Sequence, residues 1–443
     1  MERSDVSRRD LLRRAGWMAA GAAGGSMATS ASASSLAERG FSAPGALDVR
    51  DFGAVGDGKK DDTGAFRAAV AAAAEQGGNL VAVPRGDYLL EGTLEVPDDV
   101  VLEGVWRGPT IGTQSRGSAI HTTWGEGKAD AEPFIVLRRN ATLSGLTIFH
   151  PKQVRKSPPV PYPWTVRGNG DNCTLRNVLM VNPYQAVDFG TLPAGRHYIN
   201  GLYAQALYRG LFIDQCYDVG RVENVHFWPF FEVWQTDLKQ FTEREGIAFV
   251  IGRTDWEYMT NCFCIGYRVG FHFVKTKAGT PNVVLTQCGS DIGPTAVRVS
   301  ASMDHAGISF SNGQFMATVE VEPEARGPVK FTSCGFWPVP ETGPQAVLQG
   351  SSHVTFTGCH FSGWDQKNAG VPCIDVRSGG VTVSGCEFMA EGKAQIEIGK
   401  SVEAAVVVGN RFRGAQRVTN HAGSRAQIGL NVADAKPRAR RKS

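Results

Sequence analysis

The chain of 443 residues carries a formal net charge of +3, with 42% hydrophobic and 20% charged residues. That composition can fill a sizeable core, and so small a positive charge does not supply the footprint of a nucleic-acid binder. No segment has the long apolar run of a transmembrane helix, so no membrane span is expected in the mature protein.

At the N-terminus, Ser7-Arg8-Arg9-Asp10-Leu11-Leu12 precedes a short apolar run, Ala15 to Ala23. The layout predicts a twin-arginine-type export signal and linker over residues 1–40, hence a secreted or periplasmic protein. The small residues Ala31 to Ser35 offer cleavage sites. Next comes Asp51-Phe52-Gly53-Ala54-Val55-Gly56-Asp57-Gly58, then Asp61-Asp62-Thr63. Residues 65–75 are helical in composition, with Asp62 or Thr63 available as N-cap. An amphipathic helix here would close the open apolar end of a stacked fold. Leu80–Val83, Tyr88–Leu90, Leu94–Val96 and Val101–Leu102 read as first strands, so 47–140 forms the cap and opening coils.

From 141 to 415 a short pattern recurs: apolar, any, small or amide, apolar or Cys, any, apolar. Examples are Leu143-Ser144-Gly145-Leu146-Thr147-Ile148, Val222-Glu223-Asn224-Val225-His226-Phe227 and Phe356-Thr357-Gly358-Cys359-His360-Phe361. Most steps are 21–27 residues, the length of one coil of three short strands and their turns. A second strand follows each copy, as in 210–213, 246–249 and 270–273. The repeat predicts an all-β fold, a parallel β-helix (solenoid) of about eleven coils with an N-terminal capping helix. Residues 416–443 are expected to form a basic, disordered tail.

The nine cysteines of an exported chain would ordinarily suggest disulfides. The repeat instead places Cys262, Cys288, Cys334, Cys359 and Cys386 in one inward column, beside Phe315, Phe336, Phe361, Phe388 and Phe412. Free, buried thiols are expected, and no zinc set completes itself around them. Asn177, Asn224, Asn261 and Asn312, with Gln287, form a column expected to bend the chain and bond along the stack.

The Asp51 to Thr63 segment, followed by Val83-Pro84-Arg85-Gly86-Asp87-Tyr88, resembles the N-terminal region of the pectate-lyase-like superfamily. That group includes polygalacturonases, rhamnogalacturonases, some epimerases and phage tailspikes. The resemblance implies a right-handed β-helix over about 47–415 that binds or cleaves a polysaccharide, as a monomer or homotrimer.

Two steps are too long for one coil: Leu146 to Val178 is 32 residues and Val225 to Cys262 is 37. The excess must leave the coil as loops, where such scaffolds build sites. The second loop carries Trp228, Phe230, Phe231, Glu232, Trp234 and Asp237. Aromatic rings stack on the apolar faces of sugars, so Trp228, Trp234 and Trp256, with Arg298, are candidate substrate-binding residues. Glycoside hydrolysis needs one protonated and one ionised carboxyl group across the bond. Asp188, Asp214, Asp237 and Asp255 are the candidate catalytic carboxylates, with His272 beside them. Asp171, Asp218 and Asp255 share a column seven residues before Val178, Val225 and Cys262, a position typical of turns. The order of carboxylates, then His272, then Arg298 is similar to the polygalacturonase arrangement. The sequence has no Asn-Thr-Asp, Gly-His-Gly or Arg-Ile-Lys. A lyase would instead pair a base with a neutraliser of the uronate carboxylate, and Arg253, Asp255, Tyr258 and Arg268 could serve, with Ca²⁺ as a cofactor in that case. Without the lyase chemistry no cofactor or metal is expected. A glycoside hydrolase is therefore the expectation, ahead of a lyase or a non-catalytic carbohydrate-binding β-helix.

Overall fold

A computed structural model describes residues 45–109, 117–231, 236–338 and 343–434. The export-signal residues Arg8 and Arg9, together with Glu232 and Trp234, lie outside the described residues.

Each coil contributes three short strands, and every strand pairs in parallel with its equivalent one coil away. The result is a parallel β-solenoid of about 14 turns. We name the three ladders A, B and C. Val101–Gly104, Thr142–Ser144, Gly220–Glu223 and Glu257–Thr260 belong to A. Ser118–Thr122, Leu146–Phe149, His226–Phe227 and Phe263–Ile265 belong to B. Trp164–Gly168, Gln185–Phe189, Arg209–Ile213, Ile247–Ile251, Val269–Phe273 and Thr295–Val299 belong to C. Alternation sends one column of each ladder inward and its neighbours outward.

Between A and B the chain turns on a single left-handed residue. Asn177, Asn224, Asn261, Gln287 and Asn312 hold φ of 53° to 56° there, and Gly201, Gly358 and Gly385 occupy the same column. Asn and Gly are the residues that adopt this conformation at least cost. The amides also bond along the stack: Asn261 Nδ2 donates to Asn224 Oδ1 at 2.8 Å.

The turn delivers the next residues into the core. Phe315, Phe336, Phe361, Phe388 and Phe412 stack with successive centroid separations of 5.4, 4.8, 4.9 and 5.1 Å. The five column cysteines are buried beside them, and all nine cysteines are free. Their sulfurs donate weakly to strand carbonyls, as Cys359 Sγ does to Phe331 O at 3.4 Å.

Helix α1 (Thr63–Glu75) buries Phe66, Ala69, Val70 and Ala73 and contacts Leu47–Asp48, Leu80–Val83 and Leu94–Val96. Asp62 precedes it but makes no side-chain cap bond. Its carboxylate accepts the backbone N–H groups of Val55 and Gly56 at 2.8 and 3.0 Å, clamping the glycine-rich entry turn. Asp61 instead accepts from the Thr63 N–H at 3.0 Å. No helix among the described residues is long and apolar enough to cross a membrane.

Two expectations change. The coil number exceeds eleven because coils at both ends lack the recurring pattern: Leu80–Val83 and Val101–Gly104 pair on the A ladder without it. Part of the segment expected as a tail from 416 is paired instead: Val418–Asn420, Ala426–Gly429 and Val432–Ala433 pair on the preceding coil. Those strands carry few large apolar residues, which hides them from a hydrophobic pattern.

Burial pushes the Cys264 thiol up to about 12; for Cys359 the hydrogen bond with Cys334 lowers the pKa, but the bond with Cys386 and burial outweigh it and bring the thiol up to about 12. All nine thiols are free and buried, so a thiol reagent should label none of them in native protein and all nine after denaturation without reduction. Mass spectrometry showing disulfides among them would contradict this packing.

Candidate active site

The outward column of ladder C runs Arg167, Asp188, Phe212, Val250, His272, Arg298 and Glu320, one residue per coil. Coils lie about 4.8 Å apart, so Asp188 and His272 stand three spacings from one another.

The four candidate carboxylates do not converge. Asp188 is fully buried and held by Arg167 Nε at 2.6 Å and by the N–H groups of Gly190 and Thr191 at 3.0 and 2.8 Å. Register places Phe212, not Asp214, beside it. Asp214 lies beyond the strand end, buried, accepting from Arg253 N at 2.6 Å and Thr276 Oγ1 at 3.0 Å. Asp237 is exposed in the first turn of α2 (Asp237–Glu245), behind its N-cap Thr236. Asp255 pairs with Arg253 on the edge between ladders C and A. The related turn residues Asp171 and Asp218 both bind Arg196, at 2.6 and 3.3 Å. A carboxylate locked in this way is an acceptor of fixed bonds, not a proton shuttle.

The aromatic expectations divide. Trp228 is half-buried and packs on a side cluster of Leu179, Val181, Leu207, Phe230, Phe231 and Leu238, which seats the insertion on ladder B. Trp256 is exposed, but on the same edge as Asp255. Arg298 is committed to Glu320 at 2.7 Å and Glu322 at 3.5 Å.

What the fold does bring together lies where ladder C begins, under α2. Tyr184 and Tyr208 stack with centroids 5.0 Å apart, and Phe241 of α2 sits 6.4 Å from each. The Arg209 guanidinium lies 3.6 Å over the Tyr208 ring and donates to the carbonyls of Tyr208 and Glu245 at 2.8 and 3.0 Å. Burial lowers its pKa, and the nearby Arg268 charge adds to that. The Arg268 Nε is itself buried without a hydrogen-bond partner. Neither guanidinium forms an ion pair with a described carboxylate. His272 donates to or accepts from Ser300 Oγ at 2.8 Å. Burial first, then the charges of Arg298, Arg268 and Arg209, push it down to about 4, so it is neutral at pH 7.

Arg268 was legible from sequence; Arg209, Tyr184 and Tyr208 were not singled out. A signal existed: Tyr184, Tyr208 and Arg268 each stand six residues after the column positions Val178, Leu202 and Cys262.

A second cluster is internal. His197, Cys216 and Glu257 are buried, with ligand-type atoms all within 4.8 Å of one another. Protein groups account for most of their bonding: His197 Nδ1 meets Ala194 O at 2.7 Å, Nε2 meets Glu257 Oε1 at 3.0 Å, and Cys216 Sγ donates to Asp218 O at 2.7 Å. Only Glu257 Oε2 lacks a partner. Gly220 lies between the pair in register, where a Cβ would meet Glu257 Oε2 at 2.2 Å. We read the cluster as a buried imidazolium–carboxylate pair stapling successive coils.

Residues 46–143 match the family described as rhamnogalacturonase A/epimerase, pectate lyase-like. Two Azotobacter vinelandii proteins are similar over short stretches. Mannuronan C5-epimerase AlgE3 is 35% identical over 93 residues, 18% of this chain and 5% of that protein. Alginate lyase 7 is 41% identical over 71 residues, 14% of this chain and 8% of that protein. The chain thus spans under a tenth of either relative's length. Among solved structures, the A-module of A. vinelandii mannuronan C-5 epimerase AlgE6 aligns with a TM-score of 0.54 at 16% identity, covering 88% of this chain and all of that one. The N-terminal fragment of bacteriophage phi29 gene product 12 aligns with a TM-score of 0.60 at 17% identity, covering 88% and 71%.

Burial opposes charge on His197, but the Glu257 charge and hydrogen bonds hold its pKa well above the ordinary value. Its stabilisation is therefore complete below the unfolded-state pKa, about 6.5, and is lost as pH rises through the higher folded value. Glu257→Gln should cost about 3–5 kcal/mol at pH 6, since one partner of a buried pair remains uncompensated. It should also flatten the decline of the urea midpoint above neutral pH. A variant as stable as the parent would contradict the pairing.

Proposed function

We propose that this pectate-lyase-like right-handed β-helix acts on a uronate-containing polysaccharide by removing the C5 proton of the sugar, the step shared by lyases and C5-epimerases. One observation carries the reading: two half-buried guanidiniums, Arg209 and Arg268, the second lowering the pKa of the first, lie by stacked tyrosines and a neutral imidazole, and neither forms an ion pair with a described carboxylate. An anionic ligand is what such a site lacks. A uronate carboxylate supplies the charge, and its sugar ring supplies an apolar face for Tyr184 and Tyr208. The names of the relatives, mannuronan C5-epimerase and alginate lyase, support the same substrate class.

The chemistry follows from placement. The C5–H of a uronate is acidified by the adjacent carboxyl group, and fixed positive charge at that carboxyl stabilises the enolate-like transition state. Arg209 and Arg268 take this part, for which Ca²⁺ was considered from sequence. His272 is the candidate base. Its low pKa is partly the work of the arginine charges, so a bound carboxylate that offsets them raises its basicity when substrate is present. From the carbanion, expulsion of the C4 substituent gives an unsaturated lyase product, whereas reprotonation from the opposite face gives the C5 epimer. Hydrolysis by paired carboxylates has less support, because Asp188 and Asp214 are buried and bonded while Asp237 and Asp255 stand apart.

On a polyuronate assayed both by ultraviolet absorbance of unsaturated ends and by NMR of C5 configuration, His272→Gln should lower kcat/KM by about 10²–10⁴-fold. Arg268→Ala should lower it by about 10²–10³-fold, the scale of losing one charge-stabilising donor. In the parent, kcat/KM should fall as pH drops through about 4, where His272 takes up its proton. A His272→Gln variant active within a few-fold of the parent would place the base elsewhere.

A further inference from the structure

We infer a second binding surface for an acidic polysaccharide on the edge where the turns leave ladder C and enter ladder A, apart from the His272 face. The exposed aromatic side chains among the described residues are Tyr217, Trp256 and Tyr258, at 54%, 49% and 41% exposure, and all three lie on this edge. A single exposed apolar group is ordinary, whereas a cluster marks a contact surface. The Trp256 and Tyr258 rings lie 6.1 Å apart at 32°, forming a shallow platform. Tyr217 stands on the preceding coil, with the Arg253 guanidinium 5.8 Å from its ring.

Beside the rings opens a groove of about 540 Å³ that crosses the next coils; Arg253, Asp255, Thr280, Asn282 and His305 line it. These are the hydroxyl, amide and charged groups that bond sugar hydroxyls, alternating with rings that take sugar C–H faces. Arg253 Nη1 is buried there without a hydrogen-bond partner. The turn is set rather than loose: Asp255 pairs with Arg253, and Asn282 Nδ2 donates to Asp255 O at 2.6 Å.

The surrounding charge selects an acidic chain. Arg253 lines the groove, Arg221 is the exposed register partner of Tyr258, and the exposed Lys275 and Lys277 precede the lining residues Gly279 and Thr280 in the chain. Asp218, Asp255 and the exposed Asp304, between the lining residues Met303 and His305, are the facing carboxylates; the first binds Arg196 and the second Arg253. Because the polymer runs over several coils, this edge holds chain beyond the sugars at the His272 face. The surface accounts for Trp256 and Asp255, two of the expected site residues that lie outside ladder C. It rests on the proposed polysaccharide substrate, not on the reaction assigned to it.

The test uses affinity electrophoresis of the full chain through gels containing polymannuronate, polygalacturonate or neutral dextran, alongside turnover of a short oligouronate. We expect the parent to be retarded by at least one polyuronate and not by dextran. Trp256→Ala/Tyr258→Ala should weaken that binding by tenfold or more and leave oligouronate turnover unchanged. Both side chains are exposed, and an unchanged thermal midpoint verifies folding. Retardation of the double variant equal to the parent's overturns the surface while leaving the proposed chemistry intact. Equal retardation by dextran overturns its acidic selectivity. Binding lost in the variant of a parent that turns over no uronate supports the surface and overturns the chemistry, and no binding by the parent overturns both.

Discussion

A single left-handed residue per coil governs this molecule. At Asn177, Gly201, Asn224, Asn261, Gln287 and Asn312 the backbone turns with positive φ, so the residue two before it leaves ladder A facing inward and the residue after it enters ladder B facing inward. Because the strands pair in parallel, an error of one residue at that kink would turn a whole column from core to solvent. The repeated kink is therefore what allows phenylalanines 21–27 positions apart in sequence to stack within 4.8–5.4 Å.

The same constraint makes a site. A regular stack offers flat faces, and chemistry enters where the sequence departs from the period. The insertion between Val225 and Cys262 places α2 over the start of ladder C, where Phe241 joins Tyr184 and Tyr208. Arg209 and Arg268 stand two coils apart at the start of ladder C, near enough for the Arg268 charge to lower the Arg209 pKa. The rigid coil holds two like charges at close quarters, an arrangement that a flexible loop would relax. The interior uses charge differently: His197 and Glu257 neutralise each other across Gly220.

Much of this was legible from residues. The period, the inward cysteines, the Asn column and the two long insertions follow from spacing, since each reflects one backbone conformation repeated. The C-terminal strands were missed because Ala426–Gly429 lacks the Asn or Gly kink with its flanking apolar residues, whereas Leu80–Val83 was read as a strand but falls outside the recurring pattern. The structure separates Asp188 from Asp214 for a physical reason. Sequence shows that Asp188 and Asp214 close neighbouring strands, but not that a two-residue offset turns them into separate hydrogen-bonded turns. Nor does it show that Arg167 claims Asp188. Arg209 escaped notice because an arginine at a strand's edge looks like ordinary solvation until Arg268 is placed beside it.

The central claim is that the Arg209, Arg268 and His272 face removes a proton from C5 of a uronate. Incubating polyuronate with the protein in D₂O and following C5 by NMR tests it most directly. The account predicts either deuterium at C5 of recovered or epimerised residues, or loss of the C5 hydrogen into unsaturated ends, with both abolished in Arg268→Ala. Chain cleavage that yields saturated reducing ends with C5 protonation and configuration untouched would contradict it.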